Sequence, residues 1–365
     1  MPRRFLDHQT FKGRGTASNP HVRFEALTTE LVRDGWYEDE VVAAPNEVIL
    51  PDRARSVITT NDSPDVGFDK SINPYRGCSH GCVYCFARPT HAYLGLSPGL
   101  DFETKIFYKD DAVRLLEAEL SRPKYRCTPI ALGINTDGYQ PAEKRLGVTR
   151  GLLEVLARCR HPVTIVTKSA LILRDLDLLQ DLAKDRLVAV MVSITSLTNE
   201  IKRTLEPRTA SPEARLRVVK QLSQAGVRVG VLVAPVIPAI TDHEMEDIVA
   251  AAKAAGATSA GYVLLRLPHE IKTLFREWLA DHYPDRARHV MSLINQSRGG
   301  KDYDAEFGTR MVGTGPFAEL LRRRFDLALR KHGLDGSEDR YELETKLFRP
   351  PAPPAADTPQ MSLGF

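Results

Sequence analysis

The feature that most narrows the fold is an alternation of two apolar periods along the middle of the chain. Short runs rich in β-branched residues recur at 105–108, 130–134, 163–166, 187–194, 227–233 and 260–265. Each reads as apolar on both faces, and a strand without a polar face must be covered on both sides. The runs are followed by stretches with helical spacing. Val163-Thr164-Ile165-Val166-Thr167 gives way to Leu171 through Leu182, and Val229 through Val233 to Met245 through Ala255, with Asp242 placed to cap that helix. Strands alternating with helices imply parallel pairing and right-handed crossovers. With a further short strand at 72–75, six or seven units follow one another. The expected fold class is therefore α/β, a partial (β/α)6-type parallel barrel. Its reactive groups should gather where strands run into loops at their C-terminal ends.

Four regions are expected. Residues 1–70 form an N-terminal extension, polar and broken by Pro20, Pro45, Pro51 and Pro64, with room for short strands at Ile49 and Val57-Ile58. Residues 71–266 form the barrel core and 267–349 a mainly helical C-terminal region. Residues 350–365 hold five prolines and read as a disordered tail. In the helical region, 317–331 carries Leu320, Leu321, Phe325, Leu327 and Leu329 as an apolar stripe, with Pro316 at its start and Gly333 past its end. Arg322-Arg323-Arg324 reads as a solvated face rather than a contact to a phosphate backbone.

Composition excludes some classes. Hydrophobic residues make up 42% and charged residues 27%, a globular balance. No apolar run approaches the roughly 20 residues needed to span a bilayer, and the start, Met1-Pro2-Arg3-Arg4-Phe5, leads into no apolar stretch. The expectation is a cytoplasmic protein with no membrane partner. A net charge of +3 from 50 basic and 47 acidic residues permits nucleic-acid binding without arguing for it.

The strongest local signal is Asn73-Pro74-Tyr75-Arg76-Gly77-Cys78-Ser79-His80-Gly81-Cys82-Val83-Tyr84-Cys85-Phe86, which places three of the five cysteines within eight residues. In a reducing compartment such a cluster reads as metal or cofactor ligation rather than a disulfide framework. Three thiolates on one loop can ligate three irons of a [4Fe–4S] cubane and leave the fourth without a protein ligand. That open iron is where S-adenosylmethionine can chelate and be cleaved to a 5′-deoxyadenosyl radical. Gly77 and Gly81 let the loop turn tightly, and the Tyr84 ring could sit against the adenine. The competing readings are a structural zinc with His80 or His91 as fourth ligand, in a non-catalytic zinc- or iron–sulfur-binding interaction module, and three metal-free core cysteines.

The C-x3-C-x2-C loop after a first short strand, heading a β/α series, resembles the radical S-adenosylmethionine superfamily. The chain is similar to the branch related to spore photoproduct lyase, often labelled "DNA repair photolyase-like", over roughly residues 70 to 265. The stretch from Asn73 to Lys109, with Arg88-Pro89-Thr90-His91 and Leu94-Gly95-Leu96, is similar to a bacterial subfamily without an assigned substrate. The resemblance implies a [4Fe–4S] cluster on Cys78, Cys82 and Cys85, S-adenosylmethionine as cofactor, and an external one-electron donor such as flavodoxin or ferredoxin. It also suggests cofactor contacts. Thr136 and Asp137 lie in Asn135-Thr136-Asp137-Gly138-Tyr139-Gln140-Pro141, similar to a T-D-x-Y-Q-P stretch of the branch. Asp137 reads equally as the cap of the following helix. Lys168 would pair with the cofactor carboxylate and Ser193 with the ribose, while Arg208, in Glu206-Pro207-Arg208, could take a carboxylate bidentately. Pro235-Val236-Ile237-Pro238 would face the adenine through its backbone. Tyr139 is a candidate radical relay.

One departure separates this sequence from spore photoproduct lyase, which carries a hydrogen-returning cysteine near the third strand. Residues 132–137 contain none, Cys127 lies upstream, and Cys159 reads as core. The same thymine-dimer reaction is therefore not expected. A nucleic-acid substrate follows from the relative together with 13 Lys/Arg against 9 Asp/Glu between Arg266 and Lys331; a protein or small metabolite stands beside it.

Overall fold

The structure, a computed structural model, describes residues 11–25, 46–335 and 342–351. Residues 1–10 and the tail from 352, on which the expectations about the chain start and disorder fall, lie outside the described residues.

The strands, in chain order, are β1 (Val48–Pro51), β2 (Ile58–Thr60), β3 (Lys70–Ile72), β4 (Tyr75–Arg76), β5 (Lys105–Tyr108), β6 (Ile130–Leu132), β7 (Val163–Thr167), β8 (Val188–Ser193), β9 (Arg228–Val236) and β10 (Ser259–Leu264). A seven-stranded sheet runs β10-β9-β8-β7-β6-β3-β2. From β3 to β10 every pairing is parallel, in registers such as Ile72 with Leu132, Leu132 with Ile165 and Val190 with Val229. Only β2 joins antiparallel. The fold is a partial parallel barrel of six strands, left open between β2 and β10.

Outer helices cover the sheet: α1 (Ala112–Leu120), α2 (Val148–Arg158), α3 (Leu176–Lys184), α4 (Asn199–Leu205), α5 (Pro212–Gln224) and α6 (Met245–Ala254). β8 is buried at all six positions, as a strand covered on both faces must be. The main core lies between this sheet and the helices, with Ile130, Leu132, Ile165, Val190 and Val231 against Leu156, Leu179, Leu222 and Ile248. Beyond the barrel come α7 (Ile271–His282), α8 (Ala287–Gln296) and α9 (Gly315–His332).

Four local expectations are corrected. β5 is not a barrel strand; it pairs with β1 and β4 in a separate three-stranded sheet. In Lys105-Ile106-Phe107-Tyr108 only Ile106 is fully buried, and a strand so exposed belongs at a margin rather than between two helix layers. The run 72–75 divides at Asn73-Pro74 into β3 and β4, which belong to different sheets. Asp242 opens a 3-10 turn and lies 3.6 Å from Arg324, while α6 begins without a side-chain cap. In α9 the buried stripe is Leu321, Phe325, Ala328 and Leu329, at helical spacing; Leu320 and Leu327 fall off it and are exposed.

The open side is bridged. Leu264 donates its N–H to Met311 O at 2.8 Å, so the segment that carries Met311 meets the C-terminal end of β10. The same segment reaches the β2–β3 turn, where Asp65 accepts from Gly308 N at 2.6 Å and pairs with Arg310.

Candidate active site

The cysteine loop, 78–85, follows β4 at the end of the barrel where β6, β7 and β8 terminate. Its path depends on glycine at two points. Gly77 and Gly81 adopt φ of +76° and +72°, and a Cβ on Gly77 would stand 3.0 Å from His91, Phe102 O and Lys105 O. Backbone bonds hold the rest. Cys78 N donates to Phe102 O at 2.9 Å, Ser79 N to Gln140 Oε1 at 3.0 Å, and Gln140 Nε2 returns a bond to Gly77 O at 3.1 Å.

Two buried ion pairs flank the loop. On one side Arg88, fully buried, donates Nε to Cys82 O at 2.8 Å and Nη2 to Glu103 at 2.6 Å. The Glu103 carboxylate also collects Gly15 N, Thr16 N and the Thr16 hydroxyl at 2.9, 3.1 and 3.0 Å. This draws the N-terminal segment onto the loop so closely that a Cβ on Gly15 would stand 1.7 Å from Gly81 O. On the other side Glu206 pairs with Arg215, each about 2% exposed. Glu206 also accepts from the Tyr84 hydroxyl and from Thr195 Oγ1, the latter at 2.8 Å. Burial drives this carboxyl up, yet Arg215, Lys168 and the Tyr84 bond outweigh it and hold it at about 2.

The residues expected to contact a cofactor divide into committed and uncommitted groups. Asp137 accepts from Thr167 Oγ1 at 2.8 Å, Lys168 N at 2.8 Å and Tyr139 N at 2.9 Å, and lies 3.4 Å from His80 Nδ1. It caps no helix; it ties the β6 and β7 ends to the cysteine loop. Thr136 donates its hydroxyl to Tyr75 O at 2.7 Å. Tyr84, expected against the adenine, gives its hydroxyl to Glu206 and packs with Val83, Ile201 and Leu205. Arg208 meets a carboxylate from within the chain, Glu47 at 2.5 Å. Tyr139, the candidate relay, is 1% exposed and lies inside the main core.

Lys168 and Ser193 remain uncommitted. The Lys168 ammonium has no hydrogen-bond acceptor among the described residues and stands 5.8 Å from the Tyr84 ring. Its charge is felt at Cys82 and Cys85, where it opposes the rise in thiol pKa. Ser193 is 3% exposed and its carbonyl accepts from Arg215, while its hydroxyl has no partner among the described residues.

The donor set fits a cluster better than a single ion. Burial pushes all three thiols up, the reverse of a nucleophilic thiol activated by a depressed pKa. Such thiols become thiolates on binding metal. Among the described residues no three His, Cys, Asp or Glu converge closely enough to hold one metal ion. A cubane instead spreads three thiolates over three irons. Neither histidine is placed as a fourth zinc ligand. His80 is turned to Asp137, and burial lowers its pKa despite that carboxylate. His91 faces Lys105 O at 3.1 Å and is held near about 4 by burial.

A family model described as the radical SAM superfamily matches residues 72–252. Uncharacterized proteins of Mycobacterium bovis and Mycobacterium tuberculosis are 40% identical over 286 residues, covering 76% of this chain and 79% of theirs. The chain belongs to the radical SAM superfamily. An uncharacterized protein of Methanocaldococcus jannaschii is 27% identical over 196 residues, 54% of this chain and 70% of its own. Spore photoproduct lyase complexed with dinucleoside spore photoproduct superposes with a TM-score of 0.57 at 16% identity, over 81% of this chain and 86% of that one. That match shows a shared fold. As a radical SAM enzyme, the chain uses S-adenosylmethionine-dependent radical chemistry, and the superfamily implies a [4Fe–4S] cluster.

Sequence reasoning about this radical SAM enzyme passed over Arg88, Glu103, Glu206 and Arg215. The order Glu206-Pro207 followed by Arg215 just inside a Ser211-Pro212 helix start is the one local hint of a buried pair. Nothing in the sequence signals that Gly15 and Thr16 reach Glu103.

Proposed function

We propose that Cys78, Cys82 and Cys85 ligate a [4Fe–4S] cluster that reductively cleaves S-adenosylmethionine, giving a 5′-deoxyadenosyl radical for hydrogen abstraction from a substrate. The observation that carries this reading is the three-cysteine loop set at the C-terminal end of a parallel barrel, beside an ammonium with no hydrogen-bond acceptor among the described residues. Lys168 is suited to bind the cofactor carboxylate, a charge-assisted contact for a compact cation. Ser193 is suited to take the ribose through its free hydroxyl. Asp137 holds Lys168 N and His80 together and so sets the ammonium's distance from the loop. Tyr84 and Arg208, already engaged by Glu206 and Glu47, act from behind the site.

The substrate is proposed to be a nucleic acid. The complex of the fold relative with a dinucleoside photoproduct supports this. So does the surface beside the cysteine loop, where Arg266 lies 5.5 Å from the exposed Phe86 ring. Interleaved aromatics and arginines suit bases and phosphates. Thymine-dimer reversal of the lyase kind is not part of the proposal. Cys127 precedes β6, on the side remote from the cysteine loop, and Cys159 is buried in the core.

The test is anaerobic purification with iron, sulfide and visible absorbance, followed by dithionite and S-adenosylmethionine. About four irons per chain, as one cubane requires, with 5′-deoxyadenosine lost in Cys82→Ala, is the expected result. Zinc in place of iron would overturn the reading. Binding to single-stranded DNA or RNA that weakens steeply with salt supports the nucleic-acid substrate; salt-independent or absent binding removes it.

A further inference from the structure

Four successive residues, beginning with the last of α4, lie along the cysteine loop. Leu205 O accepts Val83 N at 3.1 Å, Glu206 takes the Tyr84 hydroxyl, and Arg208 N donates to His80 O at 3.2 Å. Between them the Pro207 ring stands 3.2 Å from the place of a Cβ on Gly81. Within this strip Glu206 is the charged member facing the turn between Cys82 and Cys85.

Its charge is oriented. Arg215 engages Oε2, whereas the Tyr84 and Thr195 hydroxyls engage Oε1. Arg215 cannot swing toward the loop, because Nε is bound to Ala210 O at 3.0 Å, Nη1 to Ser193 O at 2.9 Å and Nη2 to Thr209 at 2.6 Å. The ion pair therefore presents its negative end to the cysteine turn, in a setting where almost no solvent screens it. The reduction potential of an iron–sulfur cluster follows local charge, hydrogen bonding and burial.

We propose that Glu206 is a positioning residue of the radical SAM centre: it fixes the Cys82–Cys85 turn through the Tyr84 hydroxyl, and its oriented buried charge holds the adjoining cluster at a lower reduction potential. The inference rests on the cluster assignment to Cys78, Cys82 and Cys85. Tyr84 is the link and Arg215 the lock. Thr195 completes the cradle by bonding both Glu206 and Ala234 O, the latter at 2.9 Å.

The experiment compares full-length wild-type protein with Glu206→Gln and Tyr84→Phe, reading iron per chain and the midpoint potential from an EPR-monitored redox titration. Glu206→Gln keeps the shape while it removes the charge and leaves Arg215 unpaired, so the folded variant that loads its cluster shows a midpoint at a more positive value. Tyr84→Phe keeps the charge and cuts the link, so its midpoint moves less while iron retention falls and the EPR line shape changes. A loaded Glu206→Gln with the wild-type midpoint overturns the inference. Should Glu206→Gln fail to fold, Tyr84→Phe decides alone: wild-type iron content with a wild-type spectrum overturns the inference, and an altered spectrum supports it. Wild-type protein that takes up no iron would instead overturn the cluster assignment itself.

Discussion

The core between the sheet and the outer helices and the packing around the cysteine loop are held by different physics. In the first, Leu132, Leu156, Ile165, Leu179 and Val190 pack through apolar side chains alone, and the buried carboxylates Glu143 and Asp175 are paired at its margin with Arg174 and Arg150. The second has an apolar part, with Val83, Leu205, Phe275 and Trp278, but two buried ion pairs and a shared carboxylate hub are built into it. Apolar packing is non-directional and tolerates exchange of similar side chains. Buried ion pairs tolerate none, because removing one partner strands the other charge. The barrel is thus a generic support, and the loop it carries is specified residue by residue.

Arg88→Ala should give the largest effect. It leaves Glu103 as an unpaired buried charge, and losses of about 3–5 kcal/mol are typical. Urea denaturation should report that loss, accompanied by reduced iron per folded chain, since Cys82 O and the Gly15–Thr16 segment lose their anchor. Leu156→Ala, in the main core, should cost about 2–5 kcal/mol and leave iron per folded chain unchanged. Equal iron loss in both variants would erase the contrast between the two regions.

Acid should act on both regions, because burial holds His91 beside the loop and His161 in the barrel each at about 4. His161 is buried at the opposite end of the barrel, where Nε2 meets the Tyr125 hydroxyl at 2.7 Å and the ring packs edge-on against Phe348. Burial depresses it from 6.5 to about 4. A depressed folded-state value means that its stabilisation is full above pH 6.5 and is lost as pH falls toward 4, up to about 3 kcal/mol. The urea midpoint should fall across that window, and His161→Phe should flatten part of the slope. Glu206, held at about 2, stays ionised throughout it. An unchanged slope in His161→Phe would show that the proton is taken up elsewhere.

Gly77→Ala should cost about 1–2 kcal/mol for a left-handed residue, increased by the strain of a Cβ 3.0 Å from His91, Phe102 O and Lys105 O, with a disproportionate loss of bound iron. Wild-type iron content in that variant would mean that the loop tolerates a different path.

Much of the barrel was legible because its signals are local. The apolar runs that became β6 to β10 are continuous over four or more residues, and the helices between them repeat at 3.6. β5 misled because its run begins on Lys105 and ends on Tyr108, which leaves only Ile106 and Phe107 to separate an inward strand from a marginal one. The three cysteines were legible for a different reason, since ligand spacing on one loop is a property of the sequence itself. The contacts of Tyr84, Asp137 and Arg208 were not. Each is set by a partner far along the chain: Glu206 for Tyr84, Thr167 and His80 for Asp137, Glu47 for Arg208.

The sequence by itself therefore determined the class of fold, its order of units, and the loop that carries the thiols. Those follow from periodicity and spacing, which are short-range. Only the tertiary structure decided which polar groups are consumed in holding that loop and which, the side chains of Lys168 and Ser193, have no hydrogen-bond partner among the described residues. The reason is physical: a buried charge must be paired, and the partner is chosen by the closure of the fold rather than by its neighbours in sequence.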